Sequence, residues 1–161
     1  MTRFTAHILR LILVISALCA SAGAARGTPN KRVLMLFTNE PRQAGATIVE
    51  DAIRSTLLSG SPETLEIYSE YIDALRTPLA SDNKPLVEYL KAKYADTKLD
   101  LILCINAPAL KFALQNRDTI FSNTPVVFLV LDQQNVTGID LGTNVTGVWG
   151  ETNYRATLDT A

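Results

Sequence analysis

Arg32–Phe37, RVLMLF, is an apolar run of strand length whose interior is unbroken. A strand with one wet face alternates apolar and polar side chains. An unbroken run predicts a strand covered on both faces, as in a parallel sheet flanked by helices. Leu99–Ile105 (LDLILCI) and Pro125–Leu131 (PVVFLVL) repeat the pattern, the second rich in β-branched residues. Leu65–Ile72 (LEIYSEYI) alternates and predicts a more exposed strand at or near an edge, and Asn144–Trp149 a short fifth strand.

Amphipathic stretches separate these runs. Ala44–Leu58 predicts a helix with Ile48, Ala52, Ile53, Thr56 and Leu57 on its inner stripe, stopped by Gly60. Lys84–Tyr94 carries Leu86, Val87, Leu90 and Tyr94 on one face. Pro108–Asn116 turns Leu110, Ala113 and Leu114 inward, its proline tolerated in the first turn. A polar connection spans Asp73–Pro85, and Tyr154–Ala161 begins a further helix. Strand–helix alternation with right-handed crossovers predicts an α/β fold, a parallel sheet of order 2-1-3-4-5 with helices on both faces, flavodoxin-like. Val33, Leu34, Leu36, Leu101, Ile102, Leu103, Val126, Val127 and Leu129 are the expected core.

The chain has 161 residues, which predicts one globular unit after its leader. Fifteen basic and sixteen acidic residues leave a net charge of −1, so no basic surplus exists to draw nucleic acid. The start differs from the rest. Arg3 and Arg10 precede the apolar run Leu11–Ala20 (LILVISALCA), and small residues follow from Ser21 to Ala25. These are the three parts of a secretory signal, so residues 1–25 are expected to be an export signal cleaved after Ala24 or Ala25. The run is about half the ~20 residues that cross a bilayer; an uncleaved anchor is the alternative. Leu18 before Cys19 argues against lipoprotein processing. The expected location is the periplasm or the extracytoplasmic face of the membrane.

Cleavage would remove His7 and Cys19, leaving no histidine and only Cys104. Such a chain lacks the base of a Ser–His triad and the usual zinc ligands, and it forms no internal disulfide. Cys104 within LILCI reads as a small buried hydrophobe. No catalytic residue, metal or cofactor is expected in this segment. TNEPRQAG follows the first strand in place of a dinucleotide-binding GxGxxG, and no P-loop GK[ST] occurs. Glu50, Asp51, Glu66, Glu70 and Asp73 read as solvated surface, not as paired catalytic carboxylates. Asn135-Val-Thr137 and Asn144-Val-Thr146 match the short glycosylation pattern.

In open α/β sheets ligands bind beyond the carboxyl ends of the strands, at the switch point. The groups at those ends are Thr38 and Asn39 after the first strand, Asn106 and Ala107 after the third, and Asp132 and Gln133 after the fourth. Their hydroxyl, amide and carboxylate groups suit a polar or zwitterionic organic ligand. Each is also a residue type that caps helices and turns. Trp149 is placed either to stack on a ligand or to pack on the sheet end. Asn106→Leu is expected to weaken binding while leaving stability almost unchanged.

In combination, RVLMLFTNEP, EIYSEYIDALRTP, LDLILCINAPALKFAL, NTPVVFLVLDQQNVTG and NVTGVWGETNYRATLDTA carry a resemblance. From Arg32 to Ala161 the chain resembles the ABC-type substrate-binding-protein-like family, including periplasmic input domains of bacterial sensor histidine kinases. The resemblance implies that residues 31–161 are the first lobe of a type I periplasmic-binding-protein fold, with a small organic ligand held against a second lobe. It implies a membrane partner, either the remainder of a sensor kinase or an ABC permease. The expected function is ligand recognition by cleft closure feeding a two-component sensor. A free solute receptor for an importer is the nearer alternative, and an exported hydrolase on a flavodoxin-like core the more distant one.

Overall fold

The computed structural model describes residues 30–41, 43–72 and 83–150. The leader, Arg42, most of the 73–85 connection and the helix expected from Tyr154 lie outside them. The described chain runs β1 (Lys31–Phe37), α1 (Ala44–Gly60), β2 (Leu65–Tyr71), α2 (Lys84–Tyr94), β3 (Leu101–Ile105), α3 (Ala107–Gln115), β4 (Val126–Val130), a one-turn 3₁₀ helix (Gln133–Asn135) and β5 (Val145–Trp149). The five strands form one sheet of order β2-β1-β3-β4-β5, every neighbouring pair parallel. This is the flavodoxin-like α/β arrangement that the apolar runs predict.

The two faces are covered unequally. One carries Leu34, Leu36, Ile102, Cys104, Val126 and Phe128, all at most 2% exposed, under α2 and α3. Leu90 and Tyr94 of α2, with Leu110, Phe112 and Ala113 of α3, complete that core. The other face holds Met35, Phe37 and Ile105 against Val49 and Ile53 of α1. There Leu101, Leu103, Val127 and Leu129 are half-buried, not core as their runs predict. Among the described helices only α1 packs on that side, over β1 and β2, which leaves the β3–β4 half partly open.

The buried stripe of α1 also differs from expectation. Ala46, Val49, Ile53 and Leu57 turn inward, while Ile48 is 70% exposed and Ala52 and Thr56 face solvent. The helix is rotated because Glu50 and Arg54 also face the sheet. The guanidinium Nη2 of Arg54 donates to Glu50 Oε1 and Ser69 Oγ, each at 3.1 Å. Ser69 donates to the same Glu50 oxygen at 2.5 Å, and the Tyr71 hydroxyl donates to its other oxygen. Glu70, on the opposite side of β2, is 9% exposed and accepts from Tyr94 at 2.7 Å and from Lys93 at 2.6 Å. Glu50 and Glu70 are therefore not the solvated surface groups that their positions on a helix and a strand face imply; both anchor helices to the edge strand. Glu66, half exposed beside Arg32, is a surface group as expected, and Asp73 lies outside the described residues.

At one position a close approach requires glycine. Gly147 in β5 pairs with Phe128 in β4, and a Cβ there would sit 2.4 Å from both the Phe128 ring and its carbonyl oxygen. The ring and the carbonyl already occupy the space a side chain would need.

Candidate functional site

A cavity of about 270 Å³ opens at the carboxyl ends of β1, β3 and β4. Phe37, Val49, Ile105 and Leu129–Leu131 give it an apolar floor, and Thr38, Asn39 and Asn106 bring its polar groups. These three strand-end residues converge because β1 and β3 are neighbours at the switch point, where α1 and α3 leave toward opposite faces. Ala107, Asp132 and Gln133 are not among the lining residues. Asp132 caps the 3₁₀ turn, its Oδ1 accepting from Gln134 N–H at 2.9 Å, and Gln133 is exposed. Trp149, 46% exposed at the end of β5, also lies outside the lining.

The three polar lining residues are not equivalent. Thr38 is 2% exposed and donates to Ile105 O at 2.9 Å, so its hydroxyl proton braces β1 against β3. Asn39 and Asn106 are half-buried, and neither side-chain amide has a hydrogen bond among the described residues. Asn106 precedes α3 without capping it by its side chain. Its backbone sits at φ 73°, ψ 160°, a region that only glycine enters without strain. The strain is held in place by two backbone bonds: Asn106 N–H to Leu129 O at 2.8 Å, and Leu110 N–H to Asn106 O at 3.2 Å. Leucine at this φ would be strained as asparagine is, and Asn106→Leu would remove no side-chain helix cap.

Two helices begin at the cavity. Gly45 and Ala46 of α1 line it, and the first intrahelical bond of α1 is Thr47 N–H to Gln43 O at 3.0 Å. The preceding amides have no intrahelical acceptor, and neither helix has a side-chain cap. Both positive dipole ends therefore flank the space between Asn39 and Asn106. Sequence reasoning missed this contribution of α1. Its signal is the small-residue start Ala44-Gly45-Ala46 directly after the first strand's polar loop.

The Glu50 cluster stands behind this wall, with Tyr71 stacked on Phe37 at 5.1 Å between ring centres. Burial acts to raise the Glu50 carboxyl, but hydrogen bonds from Ser69, Tyr71 and Arg54 outweigh it and hold the group below the usual carboxylate range. Burial, then the bond to Glu50, pushes the Tyr71 phenol up to about 12. A phenol raised by folding stabilises the fold fully below its unfolded value of ~10 and loses that contribution as pH rises toward 12. Glu50, depressed by folding, contributes above ~4.3 and loses its share as pH falls through its folded value. The stability gap between wild type and Tyr71→Phe is therefore expected to shrink between pH 9 and 12. Urea unfolding followed by circular dichroism checks this, and a pH-independent gap would refute it.

Among the described residues no group of three His, Cys, Asp or Glu side chains converges to hold a metal ion. Cys104 is fully buried, and burial pushes its thiol up to about 12, so it offers no nucleophile to the cavity. No described helix is long and apolar enough to cross a membrane. No family model, curated protein or solved structure matches this chain.

Proposed function

We propose that the chain is an extracytoplasmic recognition module whose switch-point cavity forms one wall of a cleft that closes on a small organic ligand. The observation carrying this reading is the strained Asn106, its side-chain amide without a hydrogen bond among the described residues, beside Asn39 at the mouth of an apolar cavity. Strain of this kind persists where the surroundings impose it, and it clusters at ligand sites. The amides supply donors and acceptors, the two helix starts favour a carboxylate or carbonyl oxygen, and the floor takes an apolar body. A volume near 270 Å³ lies just under the ~300 Å³ lower bound for drug-sized ligands. It suits a small ligand, or one end of a ligand covered by a second wall.

On the resemblance read from the sequence, such a wall would belong to a second lobe and the output to a two-component sensor kinase. Differential affinity for the closed state would then supply the signal. Export rests on Arg10, LILVISALCA and the small residues after it.

A thermal-shift screen of free amino acids and short carboxylates, followed by calorimetry, tests the site. Asn106→Gly is expected to raise stability by about 1–3 kcal/mol through relief of backbone strain. Binding should weaken about tenfold, the worth of one lost polar contact to a charged group. A purely structural asparagine would not separate the two effects. Affinity unchanged in both Asn106→Gly and Asn39→Leu would overturn the site.

A further inference from the structure

At the amino end of the sheet, opposite Asn39 and Asn106, lies a larger cleft of about 830 Å³. Its walls are the end of α2 with the residues leading into β3, and the turn at 119–125 leading into β4. Thr124 lines it and is only 7% exposed. The Thr124 amide donates to Phe121 O at 3.0 Å, but its hydroxyl has no hydrogen bond among the described residues. Buried hydroxyls are nearly always partnered. This one has no partner among the described residues and belongs to a residue that lines the cleft.

The neighbouring groups define what would fill that role. Thr97, Thr119 and Asn123 line the same cleft, and none of their side-chain donors is engaged among the described residues. Each both donates and accepts. Two charges of each sign line it, Lys91 and Lys98 against Asp96 and Asp100, beside the carbonyl end of α2, whose dipole disfavours anions. Asp100 is already occupied, accepting from Arg32 N–H at 3.0 Å and paired with Lys31 at 3.6 Å. Leu99, Ile120 and Pro125 add an apolar surface. Mixed donor–acceptor groups, no net charge and an apolar patch match a ring that bears hydroxyls on its rim and C–H bonds on its face.

We propose that this second cleft binds a neutral polyol of monosaccharide size, with the Thr124 hydroxyl as its deepest contact. The site is independent of the switch-point cavity and needs no second lobe.

The experiment is nitrogen–proton NMR of the 161-residue chain titrated at millimolar concentration with D-glucose, D-galactose and myo-inositol, and separately with inorganic phosphate. The expected result is saturable shifts at residues 96–100 and 119–125 with at least one polyol. Thr124→Val, which keeps the shape and removes the hydroxyl, should weaken that binding about tenfold. Asn123→Gly removes an amide at a position whose φ of 58° glycine accepts, and should also weaken it. It carries the test if Thr124→Val fails to fold. Silence with all three polyols, shifts with phosphate alone, or shifts confined to the Asn39–Asn106 end would overturn the proposal. So would wild-type affinity in the folded variants.

Discussion

Leu34→Ala is expected to lower the free energy of unfolding by about 2–5 kcal/mol, the range for truncating a fully buried leucine. Leu34 is 0% exposed on β1, paired with Tyr68 on one side and Ile102 on the other. It sits under the two helices of the fuller face, and close packing from both directions limits how far neighbours can collapse into the void. Leu103→Ala provides the contrast. Leu103 lies in the adjacent strand, pairs with Met35 and points to the face that, among the described helices, α1 alone covers, where it is half-buried. Less of its side chain leaves water on folding, and the remaining gap opens toward solvent, so its loss should fall clearly below that of Leu34. Urea unfolding of both variants measures the difference. Equal losses would show that the two faces are equally covered.

Gly147→Ala should destabilise by about 1–3 kcal/mol, although it adds a single methyl to an edge strand. Replacing glycine by alanine in a strand would ordinarily help, because alanine has less backbone entropy to lose. Here the new carbon would meet the Phe128 ring and the Phe128 carbonyl oxygen at 2.4 Å. The ring is 2% exposed and cannot swing away without opening the main core, while the carbonyl belongs to the adjoining strand. The strain must be taken up by separating β4 from β5. A drop in the thermal midpoint, with loss of amide protection at Val145–Trp149, is the expected signature. A neutral or stabilising outcome would place the ring elsewhere.

The fold was legible because strand interiors and helix faces are written in short-range patterns. RVLMLF, LDLILCI and PVVFLVL announce parallel strands, and β1, β3 and β4 fall where those runs lie. Coverage was less legible. A continuous apolar run states that both faces avoid water, but not how many helices arrive to cover each; Leu101 and Val127 therefore read as core and are half-buried. Glu50 and Glu70 misled for a related reason, since a carboxylate looks solvated until its partners from another element are known. Of the strand-end residues, Thr38, Asn39 and Asn106 share a cavity because β1 and β3 adjoin. The left-handed backbone of Asn106 and the clash awaiting any side chain at Gly147 depend on three-dimensional neighbours that no periodicity records.

The placement of β1 between β2 and β3 bears on how fast this chain can find its fold. Arg32 and Asp100 are clamped together by reciprocal bonds of 3.0 and 2.8 Å, yet they stand 68 residues apart in sequence. The middle of the sheet therefore cannot nucleate from a local hairpin. Chain entropy must be lost in bringing β3 to β1 before the apolar contacts between them return any stability. Parallel sheets joined by such long-range contacts fold slowly compared with helical bundles. Until β3 arrives, the inner edge of β1 stays unpaired with its apolar residues open. That interval, before the sheet closes, is when self-association would most readily compete with folding.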